Sequence, residues 1–239
     1  MRYELYYWPE IQGRGEFVRL ALEDAGADYA DVARLHKRGI PALMRFMESR
    51  SVVRPPFAPP FLKAGDLVIA QTANILFFLG PRLGLVPRKE ASRLWAHQLQ
   101  LTIADWVAEV HDTHHPISGG LYYEEQKREA KRRAADFRAE RLPKFLDYFE
   151  ALLERNPNGT DYLLGKAVCY VDLSMFQMIA GLRYAFPRAM ARLERAYPRL
   201  VALHDRVLAR RRIAAYLSSK RRLPFNQQGI FRHYSELDG

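Results

Sequence analysis

Two adjacent prolines, Pro59 and Pro60, run straight into the apolar segment Phe61-Leu62, and this junction constrains the fold more than any other stretch. A proline in mid-ladder removes a hydrogen-bond donor, so Pro60 must stand at a strand's first residue or at a bulge. Ala64-Gly65-Asp66 is a hairpin signal, and Leu67-Val68-Ile69 reads as the returning strand. Gln71-Thr72 then opens an amphipathic helix that runs to Leu79. A helix start of this kind presents free backbone N–H groups and a hydroxyl, which together make a small anion site. A strand edge beside such a helix start suits a small peptide with a free carboxylate.

The 239 residues can hold one large domain or two small ones, and at 49% hydrophobic they can build a substantial core. No apolar run reaches the roughly 18 residues of a membrane span. The N-terminus, Met-Arg-Tyr-Glu-Leu, does not read as a secretory signal. The single cysteine, Cys169, rules out an internal disulfide and fits a reducing compartment, so a cytoplasmic location is expected. The net charge of +10 raises nucleic-acid binding. The densest basic clusters are Arg210-Arg211-Arg212 and Lys220-Arg221-Arg222. Neither is accompanied by zinc spacing, a helix-turn-helix signal or an RNA-recognition signature. Elsewhere the basic residues interleave with acids, as from Glu124 to Arg141, in the manner of a solvated face. A positive field that draws in anionic ligands is a further reading. No nucleic-acid or membrane partner is expected.

Residues 1–83 mix strand and helix signals. Tyr3 to Trp8 is aromatic and strand-like, Gly13-Arg14-Gly15 forms a turn, and Glu16 to Ala25 has a helical period that stops at Gly26. Tyr29 to Leu35 reads as a weak strand and Ala42 to Met47 as a short helix, giving the order β-α-β-α-β-β-α. Pro81 to Lys89 is a linker by composition. Beyond it only helical periods are expected: Ser92 to His114, Glu124 to Arg155, Val171 to Ala185, Ala189 to Ala196 and Pro198 to Leu217. The expected domains are residues 1–83 (α/β) and 90–220 (all-α), followed by a basic tail, 221–239, without a clear period.

On these residues the chain resembles the cytosolic glutathione transferases of the tyrosine type (sigma, alpha, mu and pi-like classes) over nearly its whole length. Tyr7-Trp8, Gly13-Arg14-Gly15-Glu16 and Arg19 resemble the family's first strand, loop and helix. The resemblance makes Tyr7 the catalytic hydroxyl and Arg14 its assistant. A free thiol with a pKa near 8.5 is mostly protonated at neutral pH, and a phenol donating to sulfur favours the anion. Two departures mark the loop: Gln12 stands where the family has an arginine, and the spacing from Tyr7 to Gly13 is one residue longer, which sets Trp8 at the usual distance. Trp8 has no acidic proton to give, and Tyr6, the competitor, points to the opposite face of the strand.

Pro60-Phe61-Leu62 is similar to the family's cis-proline and the strand that follows. There the residue before the proline pairs its main chain with the cysteine of glutathione; here it is Pro59, which lacks an N–H. Either affinity falls or the register shifts to involve Ala58. Gln71-Thr72 holds the place of the family's Gln-Ser, so the resemblance gives both residues the γ-glutamyl carboxylate; an ordinary helix N-cap is the plainer role for Thr72. Gly165, Cys169 and Asp172 resemble the family's capping box for a core helix, with a thiol as a weaker acceptor costing about 1 kcal/mol. Leu142-Pro143-Lys144-Phe145-Leu146, Phe149-Glu150, Tyr197-Pro198-Arg199-Leu200 and Arg206-Val207 resemble landmarks of the second domain.

Arg38, Arg45, Arg50 and Arg54 fall where the family binds the glycine carboxylate, and surface roles stand beside that reading for each. Asp112 sits near the acidic residue that reaches the α-amino group across the family's dimer, or is a surface aspartate. Phe57 either keys into a partner subunit or covers its own core. His111 and His115 lie one helical turn apart, but no third ligand accompanies them and no metal is expected. With His114 they line a hydrophobic substrate pocket or the surface. Trp106, Val107, Val110 and Ile117 are possible neighbours there, with core packing the alternative for Trp106. The resemblance thus implies a thioredoxin-like domain plus a helical domain. It also implies glutathione as co-substrate, a homodimer, and conjugation of the glutathione thiolate to hydrophobic electrophiles in detoxification. The alternative is a non-catalytic protein that binds glutathione or hydrophobic ligands on the same scaffold.

Overall fold

The computed structural model describes residues 2–35 and 39–239. Strand β1 (Tyr3–Tyr6) pairs in parallel with β2 (Tyr29–Asp31) and antiparallel with β3 (Phe61–Ala64), which turns through Gly65 into β4 (Leu67–Ala70). The sheet order is β2-β1-β3-β4. The parallel pair needs a crossover, supplied by α1 (Gly15–Ala25), which ends at Gly26 with φ 65°, a left-handed conformation that glycine adopts without strain.

Strand alternation sorts the side chains. Tyr3 and Leu5 pack with Val18, Leu22, Ile75 and Leu79 on one face, while Tyr6 packs with Leu43 and Phe61 on the other. Pro60 lies just ahead of β3, where its missing N–H costs no ladder bond, and the Pro59–Pro60 peptide is cis. The strand expected over Tyr29 to Leu35 is shorter: it gives way after Asp31 to a single helical turn, α2 (Val32–Leu35), and α3 (Gly39–Glu48) follows. Helix α4 (Thr72–Leu83) ends at Gly84, again left-handed.

The second part is helical among the described residues. Helix α5 (Glu90–Asp112) is 23 residues long, about 35 Å of rise. Its buried Trp106 stacks on Phe145 and Phe149, with ring centroids 4.9 and 6.0 Å away. The long period from Glu124 to Arg155 divides into α6 (Lys127–Asp136), a wide turn at Phe137–Arg141 and α7 (Leu142–Arg155). Pro143 has no N–H to continue the regular ladder across that junction, and the backbone widens just before it.

Helix α8 (Tyr170–Ala185) is buried along almost its whole length. Its capping box forms: the Cys169 sulfur accepts from the third residue's N–H, and Asp172 Oδ2 accepts from Cys169 N–H at 2.7 Å. Asp172 Oδ1 also accepts from Leu163 N–H at 2.8 Å. The chain continues through α9 (Pro187–Leu193), α10 (Pro198–Leu208) and α11 (Arg211–Leu217); the single period expected from Pro198 to Leu217 breaks at Ala209-Arg210.

One apolar core joins the two parts, running from Phe17, Leu20 and Leu76 to Trp106 and α8. The basic clusters near the C-terminus serve this junction. Arg210 forms a two-pronged pair with Asp24 at 2.6 and 2.9 Å, and Arg221 and Arg222 pair with Glu23 and Glu16. Tyr216 O–H donates to Glu16 at 2.7 Å. Residues 221–239 follow no period, yet they pack as a strap on the body. Asn226 donates to Glu10 C=O at 2.9 Å, Phe231 lies on Gly181, and Tyr234 stacks on Tyr123 at 3.7 Å. Asp238, in the last turn α12 (Ser235–Asp238), caps α9 through the N–H groups of Arg188 and Ala189.

Candidate active site

The site begins where β1 ends. Tyr7 follows the strand and lies buried beneath the turn into α1, its hydroxyl oxygen accepting from Arg14 N–H at 2.8 Å. That bond leaves the phenolic proton free to donate elsewhere. The close approach requires glycine on both sides of Arg14. A Cβ on Gly13 (φ 45°) would lie 2.0 Å from the Tyr7 oxygen, and one on Gly15 would lie 2.5 Å from the ring. The Arg19 guanidinium sits 5.6 Å from the ring centroid. Burial pushes the Tyr7 hydroxyl above the ordinary tyrosine range, opposed by the Arg14 N–H and the charges of Arg14 and Arg19. The group is therefore a protonated donor at neutral pH. The Tyr6 hydroxyl donates to Glu4 at 2.7 Å, and Trp8 is partly exposed.

Gln12, which stands where an arginine was expected, is buried and used structurally. It donates to Leu223 C=O in the strap and accepts from Gln177 at 2.8 Å, and Gln177 in turn accepts from Arg222 at 3.1 Å. The space between the Gln12-Gly13 turn and strap residues Phe225 to Phe231 is only about 10 Å³, room for no more than one water.

At the other end of the site, Gln71 holds φ 69°, the one non-glycine among the described residues with positive φ, and stands as N-cap of α4. Thr72 is the first helical residue, so its hydroxyl does not cap the helix; it donates to Arg14 C=O at 3.5 Å, tying the helix start to the Tyr7 turn. The first intrahelical bond comes from Ile75 N–H, which leaves the N–H groups of Thr72, Ala73 and Asn74 facing outward. Arg14, Gln71 and Thr72 line one cavity of about 310 Å³, closed on its far side by α5 through Gln100, Ala104 and Val107. Three residues read from sequence as site members thus meet in one place. Pro59 and Pro60 stand at the start of β3 and do not line the cavity, nor does Asp112, which is exposed at the end of α5. Arg45, Arg50 and Arg54 are exposed and line no part of it, and Arg38 lies outside the described residues. Gln100 and His97 were not singled out from sequence. The available signal was two polar residues on a face of the α5 period that is otherwise apolar.

The three histidines cluster, with ring centroids 4.8–5.0 Å apart. Ile230 C=O can only accept, so His114 Nε2 carries the proton of their 2.8 Å bond. Burial pushes His114 down to about 2, so the ring is neutral and its Nδ1 accepts from His115 Nδ1 at 2.7 Å. His115 Nε2 is left as an acceptor. Burial, aided by the charges of His115, Arg14 and Arg232, pushes His111 down to about 4. No group of three or more metal-ligating side chains occurs among the described residues.

A mixed four-stranded sheet with a buried phenol just past its first strand, a cis-proline ahead of its third and an open helix start after its fourth makes a thioredoxin-like domain, here joined to a helical domain. Comparison with known proteins shows what such a chain is similar to. A sequence model described as Glutathione S-transferase, C-terminal domain, matches residues 111–220. The chain is 27% identical to glutathione S-transferase P 1 of Xenopus laevis, over 92% of this chain and 93% of that protein. It is 25% identical to a glutathione S-transferase of Plasmodium falciparum, over 91% and 95%. Among solved structures, the pi-class glutathione S-transferase of Onchocerca volvulus shares the fold at a TM-score of 0.73 and 22% identity, covering 96% of this chain and 99% of that one. The glutathione S-transferase of Ascaris lumbricoides shares it at 0.70 and 23%, covering 94% and 100%. The chain is thus similar to glutathione S-transferases over nearly its whole length, and residues 111–220 match the model of their C-terminal domain.

Proposed function

We propose that this protein is a glutathione transferase that joins the glutathione thiolate to hydrophobic electrophiles. The observation that carries the reading is the single constellation of Tyr7, Arg14, Gln71 and Thr72: a protonated phenol bonded to Arg14 N–H, with Arg14, Gln71 and Thr72 on one cavity. In this account the γ-glutamyl carboxylate sits on the outward N–H groups of α4 and the Thr72 hydroxyl, and Gln71 contacts the same moiety. Pro60 orients the strand start along which the peptide lies, and Pro59 offers its carbonyl alone. The Tyr7 hydroxyl donates to the sulfur and holds it ionised, with Arg14 adding positive charge. The thiolate then attacks an electrophile held against the second domain. Rate comes chiefly from thiolate formation and proximity. No metal takes part.

The protein acts in the cytoplasm as a homodimer. Phe57, 94% exposed, and the exposed Leu94 and Leu101 of α5 supply apolar surface for the partner, and Asp112 contacts the α-amino group of glutathione across that interface. No helix among the described residues is long and apolar enough to cross a membrane.

Retention on immobilised glutathione, release by free glutathione and turnover of an aryl halide are the expected results. Absence of both retention and turnover ends the proposal. Retention without turnover favours the second reading, a non-catalytic glutathione-binding protein. That reading draws support from Pro59, which cannot supply both main-chain bonds, and from the strap filling the space beside Gln12.

A further inference from the structure

The outward end of α4 and the far wall of its cavity set a few polar groups into a recess otherwise lined by apolar side chains such as Phe17, Leu101, Ile103 and Val107. Gln100 projects from α5 into that wall and is 1% exposed. Its Oε1 accepts from Ser174 O–H at 2.7 Å, which fixes the orientation of the amide. Its Nε2 makes no hydrogen bond to any described residue, so a buried side chain presents its N–H pair to the cavity alone. A donor in such a place needs an acceptor from the ligand or from water. Across the cavity stand Thr72, Ala73 and Asn74, whose backbone N–H groups the helix leaves unpaired, and Arg14 adds a cation. No acidic side chain lines the recess among the described residues. Donors therefore converge from two walls on a space of about 310 Å³, roughly ten waters' worth. That arrangement fits a carboxylate and disfavours an ammonium.

We infer that Gln100 is a binding residue of this site, donating its side-chain amide to the oxygen of the γ-glutamyl α-carboxylate that the N-terminus of α4 leaves uncovered. The inference rests on the glutathione reading above. It makes the carboxylate, held from both α4 and α5, the feature by which the site selects a γ-glutamyl peptide. It also couples ligand to core, because Gln100 is anchored by Ser174 of the buried helix α8.

The test is calorimetric titration of wild type, Gln100→Glu and Gln100→Met with two ligands: glutathione, and its analogue with hydrogen in place of the γ-glutamyl α-carboxylate. Gln100→Glu keeps an acceptor for Ser174 and sets a carboxylate against the ligand's own. Gln100→Met keeps the volume and deletes the donor. Loss of a hydrogen bond to a charged group predicts glutathione affinity falling roughly 10- to 100-fold in both variants. Affinity for the analogue should stay within about twofold, since the bond it lacks cannot be lost again. Variants that bind glutathione like wild type, or that lose both ligands equally, overturn the assignment of Gln100 and leave the glutathione reading standing. Wild type that binds neither ligand overturns both.

Discussion

Replacing Tyr7 by Phe separates a catalytic phenol from a structural one. The hydroxyl has two jobs in this geometry: its oxygen accepts from Arg14 N–H at 2.8 Å, and its proton is free for the sulfur. A hydrogen bond to a charged group is worth about 1.5–3 kcal/mol. At about 1.4 kcal/mol per pKa unit, its loss should raise the pKa of the bound thiol by roughly one to two units. Below that pKa, kcat/KM should fall about 10- to 100-fold, and the deficit should shrink as pH rises until the two enzymes converge. The orphaned Arg14 N–H has a separate effect, about 1–3 kcal/mol of stability, read by urea denaturation. The assay is the pH dependence of kcat/KM with an aryl halide, paired with the ultraviolet absorbance of the bound thiolate. A purely structural Tyr7 would lower the amplitude at every pH and leave the midpoint in place. A midpoint that does not move refutes thiolate stabilisation by this hydroxyl.

The remaining predictions probe the parts that hold Tyr7 and the second domain. Gly15→Ala sets a Cβ 2.5 Å from the Tyr7 ring, so the ring must shift; kcat/KM should drop at least about tenfold, with about 1–3 kcal/mol lost in denaturant, whereas Gly119→Ala, with nothing within 4 Å, should leave both unchanged. Asp172→Ala unpairs the N–H groups of Leu163 and Cys169 and should cost about 2–4 kcal/mol in chemical denaturation. Burial pushes the Asp172 carboxyl up to about 6, so the folded chain holds a proton there that the unfolded chain releases near pH 4. The carboxyl's contribution to stability should accordingly shrink as pH rises from about 4 to about 6 and stay level above, and the difference between wild type and Asp172→Ala should follow that course; a flat difference would contradict the raised value.

Much of the first domain was legible locally. The place of Pro60 ahead of β3 follows from its missing donor, the hairpin from Gly65, and the sorting of Leu5 and Tyr6 to different clusters from strand alternation, which sends neighbouring side chains to opposite faces. The helix after Gln71 was legible too, though its first turn was not: an ordinary N-cap stood as the alternative role for Thr72, and the structure gives that place to Gln71 in a strained backbone. The arginine clusters around Arg211 and Arg221 looked like a solvated or ligand-drawing surface. In the fold Arg210, Arg221 and Arg222 are spent on Asp24, Glu23 and Glu16 of α1, partners roughly two hundred positions away that no window of sequence brings together.

What the sequence determined by itself, then, is the succession of elements and the residue types at their ends, because proline sterics, strand alternation and helical period act over a few neighbouring positions. Which side chains share a space was decided only by tertiary packing. Gln100 joins Thr72 because α5 crosses the start of α4, and Gln12 is claimed by Leu223 and Gln177 because the strap returns over the Tyr7 turn. Those meetings depend on how helices from distant stretches fill one core, a property of the whole chain's burial and not of any segment in it.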